Sequence, residues 1–241
     1  MIFSLEGRRA LVTGANTGIG QAIAVGLAYA GARVTCAGRS DMGETLERVP
    51  GGEALHLDFA DPMAAAGVFE GAGYDILVNN AGVIRRGDAV DFPEADWDAV
   101  MDVNLKAAFF TCQAFAKEVF ARDGRGRIVN IASLLSFQGG IRVPSYTASK
   151  HGIAGITRLL ANEWAARGIN VNAVAPGYIE TNNTEALRAD PDRSRSILER
   201  IPAGRWGDPS DIAGAVVFLC APASEYIHGA ILNVDGGWLA R

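Results

Sequence analysis

The sequence predicts an α/β fold: a single-domain, Rossmann-like, doubly wound parallel sheet of about seven strands flanked by helices. Two observations carry this reading. Apolar runs of strand length alternate with longer segments of helical period, the pattern of βαβ units. The first such run also passes through a glycine-rich turn directly into an apolar helix. The 241 residues, 49% hydrophobic with 9 Pro, suit one domain over 1–241 with one large core. No tandem repeat, low-complexity tract or linker divides the chain.

Strands are expected near 8–13, 33–38, 54–58, 75–79, 127–132, 169–175 and 230–234, and helices near 18–30, 61–70, 95–122, 146–167 and 209–221. From Ala10 to Ala32 there is no Asp, Glu, Lys or Arg, a length that raises the question of a membrane span. Thr13, Asn16, Thr17, Gln21 and five glycines within it favour a strand, a turn and a buried helix instead. Asp61-Pro62 and Asp208-Pro209 each offer an N-cap followed by proline at the first helical position, with Asp211 as a capping partner. Gly31 and Gly168 suit helix C-termini. The strands carry few charges, as strands covered on both faces should. Segment 181–208 breaks the alternation: it is polar, contains Pro191, Pro202 and Gly204, and reads as a mobile substrate lid.

Composition narrows the function. A net charge of -5 lacks the basic field of a nucleic-acid binder. Cys36, Cys112 and Cys220 are widely spaced in apolar stretches and read as buried thiols of a reducing compartment. His56, His151 and His228 lack metal-ligand spacing, so no metal is expected. The amino terminus lacks the pattern of a signal peptide, so a cytoplasmic, non-membrane protein is expected. The 29 Gly exceed the usual share without a collagen period, which points to turns and close backbone approach.

The turn Thr13-Gly14-Ala15-Asn16-Thr17-Gly18-Ile19-Gly20 stands between a strand and a helix, the order a phosphate site needs. Glycines let the backbone approach a pyrophosphate, and the helix N-terminus offers free N–H groups and partial positive charge. In NAD binders an acid about twenty residues on takes the ribose hydroxyls. Here Gly38 stands in its place, followed by Arg39 and Ser40, which suit a 2′-phosphate. NADP is therefore favoured over NAD, with adenine stacking or plain solvent exposure the alternative uses of Arg39. Farther along, Ser133 follows a strand, and Tyr146 and Lys150 stand four apart, on one helix face. An ordinary tyrosine titrates near ~10. An adjacent ammonium favours the phenolate and is expected to lower that value, so that Tyr146 can exchange a proton with substrate while Ser133 holds the substrate oxygen.

Together with Asn79-Asn80-Ala81-Gly82, Asn104 and Pro176-Gly177, these motifs resemble the short-chain dehydrogenase/reductase superfamily over nearly the whole chain, from about Leu5 to Gly237. The resemblance implies that Asn79 to Gly82 stabilise the central sheet beside the cofactor, with Asn80, Ala81 and Gly82 in contact with it. It places Asp58 and Phe59 at the adenine, Lys150 at the nicotinamide ribose, and Pro176, Gly177, Ile179 and Thr181 at the nicotinamide. It gives Asn104 a bound water that links Lys150 to solvent, a role compatible with bending a helix. It also implies a homotetramer, with the helices near 95–122 and 146–167 at one interface and the carboxyl-terminal strand at another. Phe109, Phe110, Phe115, Phe218 and Trp238 lend that some support, although aromatics on helices are more often core.

Ile84-Arg85-Arg86, the stretch Leu135 to Tyr146, Thr181 to Thr184, Ile201 to Gly207 and Asp235 to Arg241 resemble the 2-deoxy-D-gluconate 3-dehydrogenase group, which overlaps with 2-dehydro-3-deoxy-D-gluconate 5-dehydrogenases. A small-molecule sugar-acid substrate follows. Its carboxylate suits arginine's planar donor fork, which makes Arg85, Arg86 and Arg142 candidates, with solvent exposure or inter-subunit ion pairs their alternative roles. Gln138, Asn182, Asn183 and Thr184 are candidates for hydroxyls. The alternatives are a 3-oxoacyl-acyl-carrier-protein reductase, with Arg122, Arg125 and Arg127 meeting an acidic carrier, and a dinucleotide-binding sensor without catalysis.

Overall fold

The computed structural model describes residues 2–241. Seven strands form one all-parallel sheet: β1 (Arg9–Thr13), β2 (Arg33–Gly38), β3 (Glu53–His56), β4 (Ile76–Asn79), β5 (Gly126–Ile131), β6 (Ile169–Pro176) and β7 (Ile231–Val234), in the order β3-β2-β1-β4-β5-β6-β7. All seven predicted strands are present. Chain order reverses between β1 and β4, which opens a crevice beyond their carboxyl ends, the usual ligand position of such sheets. Alternate residues of one strand feed opposite layers. Ala10 and Val12 pack with Ile23, Leu27, Ile212 and Val216 on one face, while Leu11 packs with Leu77, Phe115 and Leu160 on the other.

The helices are α1 (Gly18–Tyr29), α2 (Gly43–Arg48), α3 (Pro62–Gly67), α4 (Glu94–Met101), α5 (Ala107–Ala121), α6 (Pro144–Trp164), α7 (Glu185–Ala189), α8 (Pro191–Leu198) and α9 (Pro209–Cys220). The caps read from sequence are made: Asp61 accepts from the N–H groups of Met63 and Ala64, and Asp208 and Asp211 form a reciprocal capping box. Gly168 adopts the left-handed conformation that ends the 3₁₀ turn after α6, at φ 86°. The charge-free stretch 10–32 is β1, the turn and α1.

Three departures from the sequence reading stand out. The helix expected over 95–122 is interrupted by a π-helical stretch, Asp102–Lys106, where the Ala107 N–H reaches back to the Asp102 carbonyl. Such insertions break the regular ladder and tend to mark functional positions. Helix α2 was not expected, because its only fully buried side chain is Thr45 and no apolar period announces it. The lid segment holds two helices that were not expected, α7 and α8, the second capped by Asp190 through the N–H groups of Asp192 and Arg193, with Pro191 at its first position. Cys36, Cys112 and Cys220 are buried free thiols, with pKa values pushed up to about 11, about 12 and about 12 by desolvation. Among the described residues no helix is long and apolar enough to cross a membrane.

Candidate active site

The carboxyl edge of the sheet gathers the glycine turn after β1, Asn80 to Gly82 after β4, and Ser133 after β5. Gly14 follows β1 and Asn80 follows β4, and the two segments are locked together. The Thr13 hydroxyl accepts from the N–H groups of Asn80 and Ala81, each at 2.9 Å, and Asn80 Nδ2 donates to the Thr13 and Gly14 carbonyls at 3.0 Å. A Cβ at Gly20 would lie 2.1 Å from the Gly14 oxygen, so only glycine lets α1 dock on the turn. Below, Asn79 is buried in a fully bonded network. Its Nδ2 donates to Asn130 Oδ1 at 2.9 Å, its Oδ1 accepts from the Thr111 hydroxyl at 2.9 Å, and Asn130 passes the chain to Thr157 on α6 at 3.0 Å. A satisfied buried network rigidifies what it joins, here β4, β5, α5 and the helix that carries Tyr146.

A cleft of about 190 Å³ runs along this edge, lined by Gly14, Asn16, Gly38, Arg39, Ser40, Asp58, Phe59, Ala81 and Gly82. It joins most of the residues expected around an adenosine. Thr17 caps α1 with its backbone alone, and the first turn holds no acidic side chain, so free N–H groups and partial positive charge face outward. Thr181, at the start of the lid, sits across from Gly18, whose added Cβ would be 3.3 Å from Thr181 Cγ2. Ile179 is buried and pairs with Gly207 across the root of the lid. Gly177 packs so closely on Asp235 that a Cβ would lie 2.6 Å from its Cα. The cleft and the uncapped helix end fit a dinucleotide. Helix α2 supplies support missed in the sequence: buried Thr45 donates to the Ala15 carbonyl at 2.9 Å, and Gln21 bonds Thr45 while accepting from Arg48. The Glu44 and Arg48 pair at helical spacing was its only sequence signal.

Ser133 begins the turn after β5, and Tyr146 and Lys150 lie on the first two turns of α6. The Lys150 ammonium is buried, donates to the Ile131 carbonyl at 2.6 Å, and sits 5.5 Å from the centroid of the Tyr146 ring. Desolvation lowers its pKa to about 8. Tyr146 moves the other way. Burial pushes its phenol above the ordinary range, and a hydrogen bond with Ser133 and the charge of Arg86 only partly offset this. The expected lowering by Lys150 is therefore not the net result in this structure, because desolvation of the phenol outweighs the favourable contacts around it.

Asn104 lies in the π stretch, buried, and its amide is fully engaged. Oδ1 accepts from the Val83 N–H at 2.8 Å, and Nδ2 donates to the Val83 carbonyl at 2.9 Å and to Ser149 Oγ at 3.4 Å. Ser149 in turn donates to the Tyr146 carbonyl at 2.8 Å. The side chain thus clasps the loop after Asn80-Ala81-Gly82 to the catalytic helix.

The substrate candidates divide. Arg86 donates to the Asn183 carbonyl of the lid at 3.2 Å, and its charge is felt at Tyr146. Arg85 pairs with Asp96 at 3.3 Å and Arg142 with Asp88 at 3.1 Å. Gln138 Oε1 accepts from the Trp238 indole at 3.4 Å, and Asn182 and Asn183 are exposed in a turn held by Thr181 and Thr184. Tyr178, Trp206 and Trp238 form an aromatic cluster at the root of the lid, to which the sequence pattern assigned no joint role. Phe115 and Trp238, read as interface candidates, are buried within the protomer. Arg122 is bonded to Asp75 and the Tyr74 carbonyl, and Arg125 and Arg127 both meet Glu225.

Known proteins share this arrangement. A family model of the short-chain alcohol dehydrogenase type, described as enoyl-(acyl carrier protein) reductase, matches residues 14–239. The 2-dehydro-3-deoxy-D-gluconate 5-dehydrogenase of Escherichia coli (strain K12) is 54% identical over 99% of this chain and 98% of its own length. A crystal structure from Agrobacterium tumefaciens, described as a 2-deoxy-D-gluconate 3-dehydrogenase with bound NADP, is 72% identical, covers 100% of this chain and 99% of its own, and superposes with a TM-score of 0.98. A structure from Beutenbergia cavernae, described as an NAD(P)-dependent gluconate 5-dehydrogenase with NADP bound at low occupancy, is 50% identical with a TM-score of 0.97 and covers 100% of both chains. With the glycine turn, the Asn79 network and the Ser133, Tyr146 and Lys150 set on one sheet edge, this chain belongs to the short-chain dehydrogenase/reductase family.

Proposed function

We propose that the protein is an NADP-dependent dehydrogenase that interconverts a secondary alcohol and a ketone of a deoxy sugar acid of the 2-deoxy-D-gluconate or 2-dehydro-3-deoxy-D-gluconate type. The observation that supports this reading is the placement of Ser133 after β5 and of Tyr146 and Lys150 at the start of α6, beside a cleft lined by Gly14, Gly38, Arg39 and Asp58, in a chain 54% identical to a 2-dehydro-3-deoxy-D-gluconate 5-dehydrogenase. The nicotinamide, when bound, supplies or accepts the hydride. Gly14, Asn16, Thr17, Gly18, Ile19 and Gly20 hold the pyrophosphate side, Arg39 and Ser40 the 2′-phosphate, and Pro176, Gly177, Ile179 and Thr181 the nicotinamide side. The bound cofactors of the two structural relatives, and Gly38 where an acid would favour NAD, support NADP.

Ser133 holds the reacting oxygen and Tyr146 exchanges its proton. In the ketone-reducing direction the raised pKa of Tyr146 keeps it protonated and ready to donate at neutral pH. Alcohol oxidation requires its phenolate, which the charges of Arg86 and of a protonated Lys150 favour. Lys150 also binds the nicotinamide ribose and passes protons to a water held by Asn104. Arg86, Gln138, Asn182 and Asn183 address substrate oxygens, with Arg85 and Arg142 farther out in their ion pairs.

The protein acts as a homotetramer on this reading. The groove between α5 and α6, about 690 Å³ and lined by Phe109, Phe120, Leu159 and Trp164, is one surface for a partner, and edge strand β7 with its exposed Leu232 is another. The acyl-carrier alternative is weakened because Arg122, Arg125 and Arg127 are neutralised by acids of the same chain. The deciding experiment is a panel of sugar acids, their keto forms and 3-oxoacyl thioesters with NADP and NAD. Turnover of a deoxy sugar acid with NADP is expected. Activity confined to acyl thioesters, or none at all, refutes the proposal.

A further inference from the structure

We propose that Arg200, seated over the indole of Trp238, holds the carboxylate of the sugar acid and so sets which carbon reaches Tyr146. This deepens the sugar-acid reading and rests on it. Trp238 is buried among Leu134, Ile197, Ile201 and Trp206, with the Tyr178 ring 4.8 Å away. Leu134 adjoins Ser133, Tyr178 adjoins Gly177, and Ile197 and Ile201 belong to the lid. The turn that carries Ser133, the segment after β6 and the lid thus meet on one indole.

Arg200 Cζ lies 4.0 Å from the centroid of that ring. A guanidinium stacked on an aromatic face is held in place yet keeps its in-plane N–H groups free, in the fork that matches a carboxylate. Among the described residues, the Arg200 side chain is exposed and has no acidic partner and no hydrogen bond. Arg188 pairs with Glu180, Arg205 with Asp211 and Arg142 with Asp88, while Arg193, whose charge also reaches Tyr178, is likewise without an acidic partner among the described residues, but it is Arg200 that lies over the Trp238 ring. The charge of Arg200 also reaches inward, where it pulls down the Tyr178 phenol that burial raises. The Trp238 N–H, a donor only, donates to Gln138 Oε1 at 3.4 Å, which leaves the Gln138 NH₂ as a second donor for an oxygen-rich ligand. With the carboxylate on the lid and the carbinol at Ser133 and Tyr146, the distance between the two anchors selects the carbon that is oxidised.

The test is steady-state kinetics of Arg200→Gln and Arg200→Lys against wild type with two substrates: the sugar acid, and a neutral analogue with hydroxymethyl in place of the carboxylate. Arg200→Gln is expected to raise KM for the acid about 10- to 100-fold, the range of a charge-assisted hydrogen-bonded pair. KM for the neutral analogue, kcat, the affinity for NADP and the thermal midpoint should stay close to wild type, and Arg200→Lys should recover part of the loss. Equal effects on acid and neutral analogue, or none on either, overturn the assignment of Arg200 while leaving the proposed activity intact. A wild-type enzyme that turns over no sugar acid overturns both.

Discussion

Replacing Lys150 with methionine isolates the cost of burying an ammonium. The side chain is 5% exposed, and desolvation carries its pKa from 10.5 to about 8. At 1.36 kcal/mol per unit this displacement corresponds to about 3 kcal/mol. Below pH 8 the lysine is charged in both the folded and unfolded chains, and the folded state carries the whole penalty. Between pH 8 and 10.5 the unfolded chain still binds the proton while the folded chain has lost it, so wild-type stability climbs through that window. Methionine takes no proton in either state, but it leaves the Ile131 carbonyl without its donor, at a pH-independent cost of about 1–3 kcal/mol. The variant should therefore match wild type at pH 7 or exceed it by up to about 2 kcal/mol, and wild type should regain about 2–3 kcal/mol on it by about pH 10. Urea unfolding of both proteins at equal concentration and without cofactor measures this, and the difference between them cancels every titration they share. A difference that stays flat with pH refutes the desolvation argument.

Tyr146→Phe should lower turnover by about 10²- to 10⁴-fold and leave NADP affinity, measured by fluorescence titration, unchanged; retained turnover excludes the proton transfer. Because burial raises the Tyr146 pKa, alcohol oxidation should accelerate as pH rises above neutrality, and Arg86→Gln should move that limb to higher pH. Movement to lower pH in the profile of kcat/KM contradicts the assigned charge effect. Gly20→Ala places a methyl 2.1 Å from the Gly14 oxygen and should weaken NADP binding by calorimetry at least about tenfold; near-normal affinity means the turn can move aside. Arg39→Ala should weaken NADP about 10- to 100-fold with little effect on NAD, and an equal loss for both cofactors assigns Arg39 to the adenine instead.

Local chemistry made most of the fold legible in advance. Strands β1, β2, β4, β5 and β6 were visible because buried parallel strands are short, carry few charges and are bounded by turn residues, while the more exposed edge strands β3 and β7 showed as short apolar runs between turns. The Asp-Pro caps at 61 and 208 were equally local. The same pair at 190 was passed over because α8 has few apolar residues, and a polar helix carries little period. Helix α2 escaped for a related reason: its contribution is one buried hydroxyl, Thr45, meeting the glycine turn through the fold.

For the site, the sequence alone determined the residue types and their order: a glycine turn before a helix, Ser133 after a strand, and Tyr146 and Lys150 one helical turn apart. Such features depend on spacing along the chain, which a linear reading preserves. Tertiary structure decided what the charges do. It drew Arg85 and Arg142 into ion pairs, left Arg200 free on Trp238, engaged the whole Asn104 amide with Val83 and Ser149, and made burial rather than Lys150 the dominant influence on Tyr146. Desolvation and pairing depend on atoms brought together from distant parts of the chain, and their balance exists only once the fold has placed them.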